Sequence, residues 1–324
     1  MYYLQTDSTD PAYNLAFEEY VLKNKTQGDI LILWQNDNAV IVGRNQNALE
    51  EICRPFVEEH GIRVIRRNTG GGAVYHDLGN LNYSFITDVS DQGAARFTTP
   101  VVQALRALGL QAEASGRNDI LVSGRKVSGT AQHRHGNRIL HHGTLLFDSN
   151  ADMIAGALTP DPDKFRSKSV RSVRSRVGNI RSEMETDMDI RAFWDHLKAT
   201  LSQGSLEWMT LDDTELGEIC RLKSEKYDTW QWNYGSSPKF DTAVRRRFPG
   251  GLLQIHLSVK RGCIEGLQIF GDFLALSPID PLIRALTGCP YESNALRKRL
   301  QHLDLSEYLG TITADELIST LLNQ

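Results

Sequence analysis

The sequence predicts an α+β fold in two parts: a large domain of mixed and antiparallel sheets with flanking helices over residues 1–240, and a small α+β domain over residues 241–324. Three observations point there. Predicted strands arrive in adjacent groups rather than in strict strand–helix–strand alternation, which disfavours a doubly wound parallel sheet. The aromatic cluster Trp230, Trp232 and Tyr234 runs into Gly235-Ser236-Ser237-Pro238, a natural break between domains. Finally, 324 residues that are 40% hydrophobic and 23% charged suit a globular chain able to bury a sizeable core.

In chain order, residues 10–25 read as a helix, with Leu15, Glu18, Glu19 and Leu22 at helical spacing. Residues 30–34 and 39–43 are apolar β runs around the turn-like Asn36-Asp37-Asn38, and 43–47 leaves as a polar loop. Residues 50–60 read as one short helix stopped by Gly61, followed by strands over 62–65 and 81–86. A helix over 99–108 ends at Gly109. Residues 111–148 are mainly β, with turns at Ser123-Gly124-Arg125 and His135-Gly136-Asn137. Helices follow over 150–158, 187–201 and 212–227; in the last, Cys220 is expected in the core with Leu216, Ile219 and Leu222. Beyond the break, 252–259 and 263–269 form a strand pair, with helices near 281–287, 292–302 and 314–322. The final helix opens with Thr313 and Glu316, a capping-box pattern.

A net charge of −4 gives no general attraction to nucleic acid. No run of about 18 apolar residues exists to span a membrane. The opening Met1-Tyr2-Tyr3-Leu4-Gln5 lacks the basic and apolar segments of a secretory signal. Cys53, Cys220, Cys263 and Cys289 are far apart without a CxxC pair, so free thiols in a reducing cytoplasm are expected.

Two stretches carry the chemistry. The first is Arg66-Arg67-Asn68-Thr69-Gly70-Gly71-Gly72-Ala73-Val74-Tyr75-His76-Asp77. Successive glycines are conformationally costly, and the usual compensation is a backbone shape or a close approach that a Cβ would forbid. With two arginines ahead of them, the natural guest is an anion meeting bare N–H groups and a guanidinium. A flexible hairpin with solvated arginines is the plainer alternative. The second is GRNDILVSGRKVSGTAQ at 116–132. As a regular strand, Lys126, Ser128, Thr130 and Gln132 point one way, and Val127, Gly129 and Ala131 the other. That sets a lysine at the entrance of a polar face, although a lone lysine beside a hairpin is ordinarily just solvated.

Other features are weaker. Lys164, Arg166, Lys168, Arg171, Arg174, Arg176 and Arg181 form a basic run that suits either a cationic lid or a solvated linker. His133 and His135 have metal-compatible spacing but read as a surface turn beside Gly136, with no third ligand nearby. The adjacent His141 and His142 must face opposite ways in a strand. No GxxxxGK[ST] motif is present, which argues against a P-loop ATPase.

Taken in order, RRNTGGGAVYHD at 66–77, GRND at 116–119, RKVSGTA at 125–131, HHGTLL at 141–146, SVRSRV at 172–177 and WNYG at 232–235 resemble the lipoate–protein ligases. The resemblance covers essentially the full chain. It implies a fold shared with biotin protein ligases and related to class II aminoacyl-tRNA synthetases. It also implies a two-step reaction: lipoate or octanoate and ATP give acyl-AMP and pyrophosphate, and the acyl group then passes to a lysine. Mg²⁺ with ATP as co-substrate is implied, and no prosthetic group. The implied acceptors are lipoyl domains of 2-oxoacid dehydrogenase E2 subunits and the glycine-cleavage H protein. A cytoplasmic monomer without nucleic-acid or membrane partners is expected.

Carried over residue by residue, Lys126 matches the active-site lysine that touches both acyl carbonyl and phosphate. Arg67, Gly70, Gly71, Gly72, Ala73, Val74 and Tyr75 match nucleotide and lipoyl contacts, joined by Asn80, Ser128 and Gly129. Asn118 and Asp119 match residues near the phosphate and metal, and His142 and Gly143 line the acyl-adenylate. Ser172, Arg174 and Arg176 match a loop that orders over it. The nearest rival is an acyl transferase of the same fold, which needs a cysteine nucleophile. The motif-bearing core, 61–181, contains no cysteine. Biotin ligation lacks its GRGRxG-type loop here, and a non-catalytic lipoyl-domain binder would have no use for the lysine, glycines and arginines.

Overall fold

The run Ile-Leu-Ile-Leu-Trp in β2 (Ile30–Trp34) is apolar on both faces, as a strand covered from two sides must be. The computed structural model, which describes residues 1–89, 95–116, 118–158, 177–202, 206–234 and 242–322, sets this strand inside an eight-stranded sheet. Its order is β11 (Glu207–Trp208), β1 (Tyr2–Gln5), β2, β6 (Asn80–Asp88), β10 (Arg138–Leu146), β9 (Arg125–His135), β8 (Asp119–Val122) and β7 (Ala112–Ser115). The first three run parallel to one another, and the pairings from β2 onward are antiparallel. One face buries Tyr83, Phe85 and Phe147 beneath the helices Ala95–Ala107 and Ile190–Leu201. The other is covered by α1 (Pro11–Asn24), which packs Leu15, Ala16 and Val21 with Ile30, Ile32 and Ile86. Asp10 fixes where α1 begins, its carboxylate accepting the Ala12 and Tyr13 N–H groups ahead of a proline at the first turn.

A smaller sheet, β4 (Arg63–Arg66), β3 (Ala39–Val42) and β5 (Val74–His76), carries the glycine-rich stretch as its β4–β5 connection. A third sheet, β12 (Thr242–Phe248), β13 (Gly251–Lys260) and β14 (Cys263–Gly271), packs with four helices around its own core of Leu253, Ile255, Phe273, Leu282, Leu296 and Leu317. The fold is therefore α+β with mixed sheets and a small α+β carboxyl-terminal part, as expected.

Some expectations fail locally. Residues 50–60 are two helices, Ala48–Glu51 and Arg54–Glu59, because Ile52 bridges to Leu158 and the Cys53 N–H donates to Ala157 O. The carboxyl-terminal strand pair is three-stranded; β12 carries three arginines and shows no apolar run. Cys220 is exposed and Ile219 takes the core position, since adjacent helical residues lie about 100° apart on a 3.6-residue turn. The capping box at Thr313 and Glu316 is present. The proposed break at 235–238 lies outside the described residues.

Candidate active site

The glycine loop is built from the inside by Arg67. Its buried guanidinium donates from Nη1 to Ile41 O (3.0 Å), from Nη2 to Gly70 O (2.6 Å) and Gly72 O (2.9 Å), and from Nε to Thr69 Oγ1 (2.9 Å). Burial lowers its pKa to about 10, so the side chain stays charged at neutral pH. Arg66 is spent in the same way on the carbonyls of Gly43, Arg44, Gln46, Trp232 and Asn233. Asn233 Oδ1 in turn accepts the Arg66 N–H, which accounts for part of the WNYG motif. Both guanidiniums are thus engaged with carbonyls of the protein's own backbone.

The three glycines sit in three different surroundings. A Cβ on Gly70 would stand 2.5 Å from Phe273 O and 2.9 Å from Ala275 N, so the small carboxyl-terminal part packs against bare backbone. Gly71 has φ +88°, in the left-handed region, and its N–H donates to Phe273 O at 3.2 Å. Gly72 meets nothing within 4 Å and is the glycine left open.

Lys126 owes its direction to a β-bulge. Across β8 and β9, Asp119 pairs with Gly129 and Ile120 with Ser128, but Leu121 pairs with Lys126, so Val127 is extra. The extra residue shifts the parity. Lys126 and Gly129 share one face, where a Cβ on Gly129 would touch Lys126 Nζ at 3.3 Å, and Asp119 Oδ1 lies 2.7 Å from that ammonium. Ser128 turns to the opposite face, fully buried in line with Ile120, so its hydroxyl does not share the Lys126 face. Strict alternation, which put Ser128 beside Lys126, is thereby corrected. Asn118 ties down the turn: its Nδ2 donates to Thr130 O, and its carbonyl accepts the Thr130 N–H.

Pairing carries the Lys126 face across the sheet. Ala131 lies opposite His142, and His142 opposite Ser84. His142 is bonded at both nitrogens, Nδ1 to Glu18 (2.9 Å) and Nε2 to Thr69 Oγ1 (2.8 Å), which fastens the glycine loop over this face. Gly143 points the other way, where a Cβ would collide with Tyr83 Oη at 2.4 Å. His141 also faces away, stacked on Phe97 and bonded to Gln132, and burial brings its pKa down to about 3. Tyr75 packs in the core with Val40, Val42 and Val57, so of the β5 side chains it is His76 that turns toward Arg67 and His142. Ala73 and Val74 lie on opposite sides of the loop's exit.

Val177 forms a parallel bridge with Lys126, and the Gly178 N–H donates to Lys126 O at 2.9 Å. The chain leaving the basic run is thus anchored at the lysine's own backbone; Ser172, Arg174 and Arg176 lie outside the described residues. His133 is buried within β9, its pKa brought down to about 4 by burial, and His135 is exposed at the strand end. The expected surface turn holds only for the latter. Among the described residues, no group of three or more His, Cys, Asp or Glu side chains is arranged to hold a metal ion.

Comparison with known families is decisive. The lipoyl protein ligase A/B catalytic domain matches residues 10–202, and the bacterial lipoate protein ligase C-terminus matches residues 237–321. The chain belongs to the lipoate–protein ligases. It is 43% identical over 322 residues to lipoate-protein ligase LplJ of Bacillus subtilis, covering 96% of this chain and 97% of that protein. The structure of P. falciparum LipL1 in complex with lipoate is similar with a TM-score of 0.81 at 25% identity, covering 100% of this chain and 99% of the other. A lipoate-protein ligase A bound with ATP gives a TM-score of 0.62 at 29% identity, over 72% of this chain and 96% of that one.

Within this ligase-family fold, sequence reasoning missed His76, Asn82 and Glu18. His76 Nε2, Asn80 Oδ1 and Asn82 Nδ2 are buried without a partner in the protein. Asn80, Asn82 and Ser84 alternate along β6, which pairs Asn82 with Thr144 and Ser84 with His142. A polar residue at every second position of an otherwise apolar strand was the available signal.

Proposed function

We propose that the protein is a self-sufficient lipoate–protein ligase that activates free lipoate, or octanoate, with ATP. A carboxylate oxygen attacks the α-phosphorus, the bond to the β-phosphate oxygen breaks, and pyrophosphate leaves acyl-AMP behind. The neutral ε-amine of an acceptor lysine then attacks the acyl carbonyl; AMP departs, the amide forms, and the amine's proton passes to solvent. Lipoyl domains of E2 subunits and the H protein are the acceptors this chemistry calls for. The observation that carries the reading is convergence: the bulge turns Lys126 onto the face that holds Asp119 and His142, and the glycine loop is fastened above it.

An anion attacking an anion needs positioning and positive charge. The Lys126 ammonium is a compact charge able to bridge acyl carbonyl and phosphate oxygens. Asp119, 2.7 Å away, holds it until those oxygens arrive. Asn118 and Asp119 would hold a Mg²⁺, a hard ion that suits one carboxylate, an amide oxygen and phosphates. When bound, the ion neutralises phosphate charge. Under the loop, the unpartnered atoms of His76, Asn80 and Asn82 favour a polar guest, because each left dry costs about 1–3 kcal/mol. The mixed anhydride hydrolyses readily, so water must be excluded; the cations of the basic run at 164–181 suit a cover over the phosphate.

Lipoate-dependent exchange of labelled pyrophosphate into ATP tests the reading. Wild-type protein should exchange, and Lys126→Ala should lose about 100-fold or more. No exchange by the wild type with Mg²⁺ and lipoate present sinks the self-sufficient ligase.

A further inference from the structure

Glu18 is a carboxylate with 4% exposure in the middle of α1. A charge so buried is tolerated only when hydrogen-bonded. Ser84 Oγ donates to its Oε1 at 2.5 Å, and Ser84 is itself fixed by the Trp34 Nε1–H at 2.9 Å. His142 Nδ1 lies 2.9 Å from Oε1 and 3.1 Å from Oε2. On the far side of the ring, Nε2 is 2.8 Å from Thr69 Oγ1, which already accepts the Arg67 Nε–H at 2.9 Å.

The hydroxyl of Thr69 has one hydrogen. With Arg67 filling a lone pair, that hydrogen is directed at His142 Nε2, and the Nδ1–H is donated to Glu18, a tautomer assigned from the network. A guanidinium moves as a rigid plane, so fixing Nε fixes where both Nη groups point. Arg67 Nη2 holds the carbonyls of Gly70 (2.6 Å) and Gly72 (2.9 Å). A continuous chain of hydrogen bonds therefore runs from the carboxylate in α1 to two carbonyls of the glycine loop. With both ring nitrogens engaged, His142 serves this chain and not a hydrogen bond to the guest.

We propose that Glu18 is a positioning residue for the glycine loop, acting through His142 and Thr69 to orient Arg67 and hence the loop that receives the nucleotide. What the loop receives rests on the ligase reading; the holding of the loop does not. The carboxylate keeps the imidazole proton on Nδ1, which leaves Nε2 free to accept from Thr69.

The test combines steady-state kinetics with amide hydrogen exchange over residues 69–73, in Glu18→Ala, Glu18→Gln, Thr69→Val and Thr69→Ser. Loss of a hydrogen bond to a charged group should raise KM for ATP about tenfold in Glu18→Ala and Thr69→Val. KM for lipoate should stay within about twofold, and loop amides should exchange about tenfold faster with β6 and β10 unchanged. The oxygen-retaining Gln and Ser variants should restore both readouts. Thr69→Val keeps the shape of threonine, so it reports even if Glu18→Ala fails to fold. Unchanged KM and unchanged loop exchange in Thr69→Val overturn the proposal. If wild type shows no lipoate-dependent exchange of pyrophosphate, the ligase reading falls and the amide data alone decide: faster loop exchange supports the positioning role, unaltered exchange ends it.

Discussion

Around Arg67, four hydrogen bonds from one buried guanidinium pin the glycine loop; Lys126, whose side chain is 38% exposed, has a carboxylate at 2.7 Å as its ion-pair partner. The two regions lie over one face of the main sheet with opposite degrees of constraint. Backbone groups that must meet a guest gain by being set in advance, since they then need no reorganisation when charge develops. On the proposed chemistry, a lysine that exchanges a carboxylate for phosphate oxygens gains from the reverse. A half-exposed ion pair is worth only about 0–1 kcal/mol, so leaving it is easy. Rigidity is placed in the main chain around Arg67, and freedom in the Lys126 side chain.

That contrast can be broken at three strengths. The largest effect is expected for Arg67→Lys. A point charge on a flexible stem cannot serve the carbonyls of Ile41, Gly70 and Gly72 together, so unfolding in urea should show a loss of about 3–5 kcal/mol. A loss below about 1 kcal/mol would mean that the loop holds itself.

Next is Glu19, which anchors the loop one residue earlier. Its Oε2 accepts from Asn68 Nδ2 (2.7 Å), Lys226 Nζ (2.6 Å) and Tyr227 Oη (2.6 Å). Burial opposes its ionisation, but Lys226, Lys23 and Tyr227 bring its pKa from 4.5 down to about 2. The same burial pulls Lys226 down to about 8, against the direction its carboxylate partner alone would give; the 2.6 Å contact carries the pair. A depressed carboxylate contributes stability above its unfolded pKa, lost as pH falls from 4.5 toward 2, here about 3 kcal/mol. Glu19→Gln should lower stability at neutral pH by that order and flatten the acid limb of a stability–pH curve. An unaltered slope between those pH values would remove Glu19 from the scaffold.

The smallest difference separates neighbouring glycines. Gly70→Ala should cost about 1–3 kcal/mol, because its Cβ would lie 2.5 Å from the Phe273 carbonyl. Gly72→Ala, with nothing within 4 Å, should leave thermal stability within about 1 kcal/mol of wild type. Equal costs at the two positions would show that the loop is constrained uniformly.

What could be read from the sequence follows how local each signal is. The glycine loop announced itself because its arginines and glycines are consecutive, and Lys126 because a polar strand follows it. The face on which Ser128 lies was not legible: one inserted residue, Val127, reverses the parity on which any strand argument depends. Glu18 and Glu19 read only as helical positions, for their partners Ser84, His142, Lys226 and Tyr227 lie 66 to 208 residues away. Arg67 was expected to meet an anion because sequence shows a charge but not the carbonyls waiting for it. Cys220 was misplaced by one residue of helical phase.

Three of the contacts between the large part and the carboxyl-terminal part run main chain to main chain: Gly71 N–H to Phe273 O, Gly271 N–H to Asn45 O and Arg134 N–H to Leu276 O. Bonds of this kind involve no side chain, so most substitutions on either surface leave them intact. Apart from the side-chain pairs Arg134–Glu307 and Gln254–Glu50, these contacts should therefore tolerate substitution except where a side chain is missing. At Gly70 a Cβ would meet Phe273 O across the seam at 2.5 Å, and at Gly271 it would meet Leu252 O at 2.0 Å inside the carboxyl-terminal sheet, so even a methyl group forces the backbone to move at both.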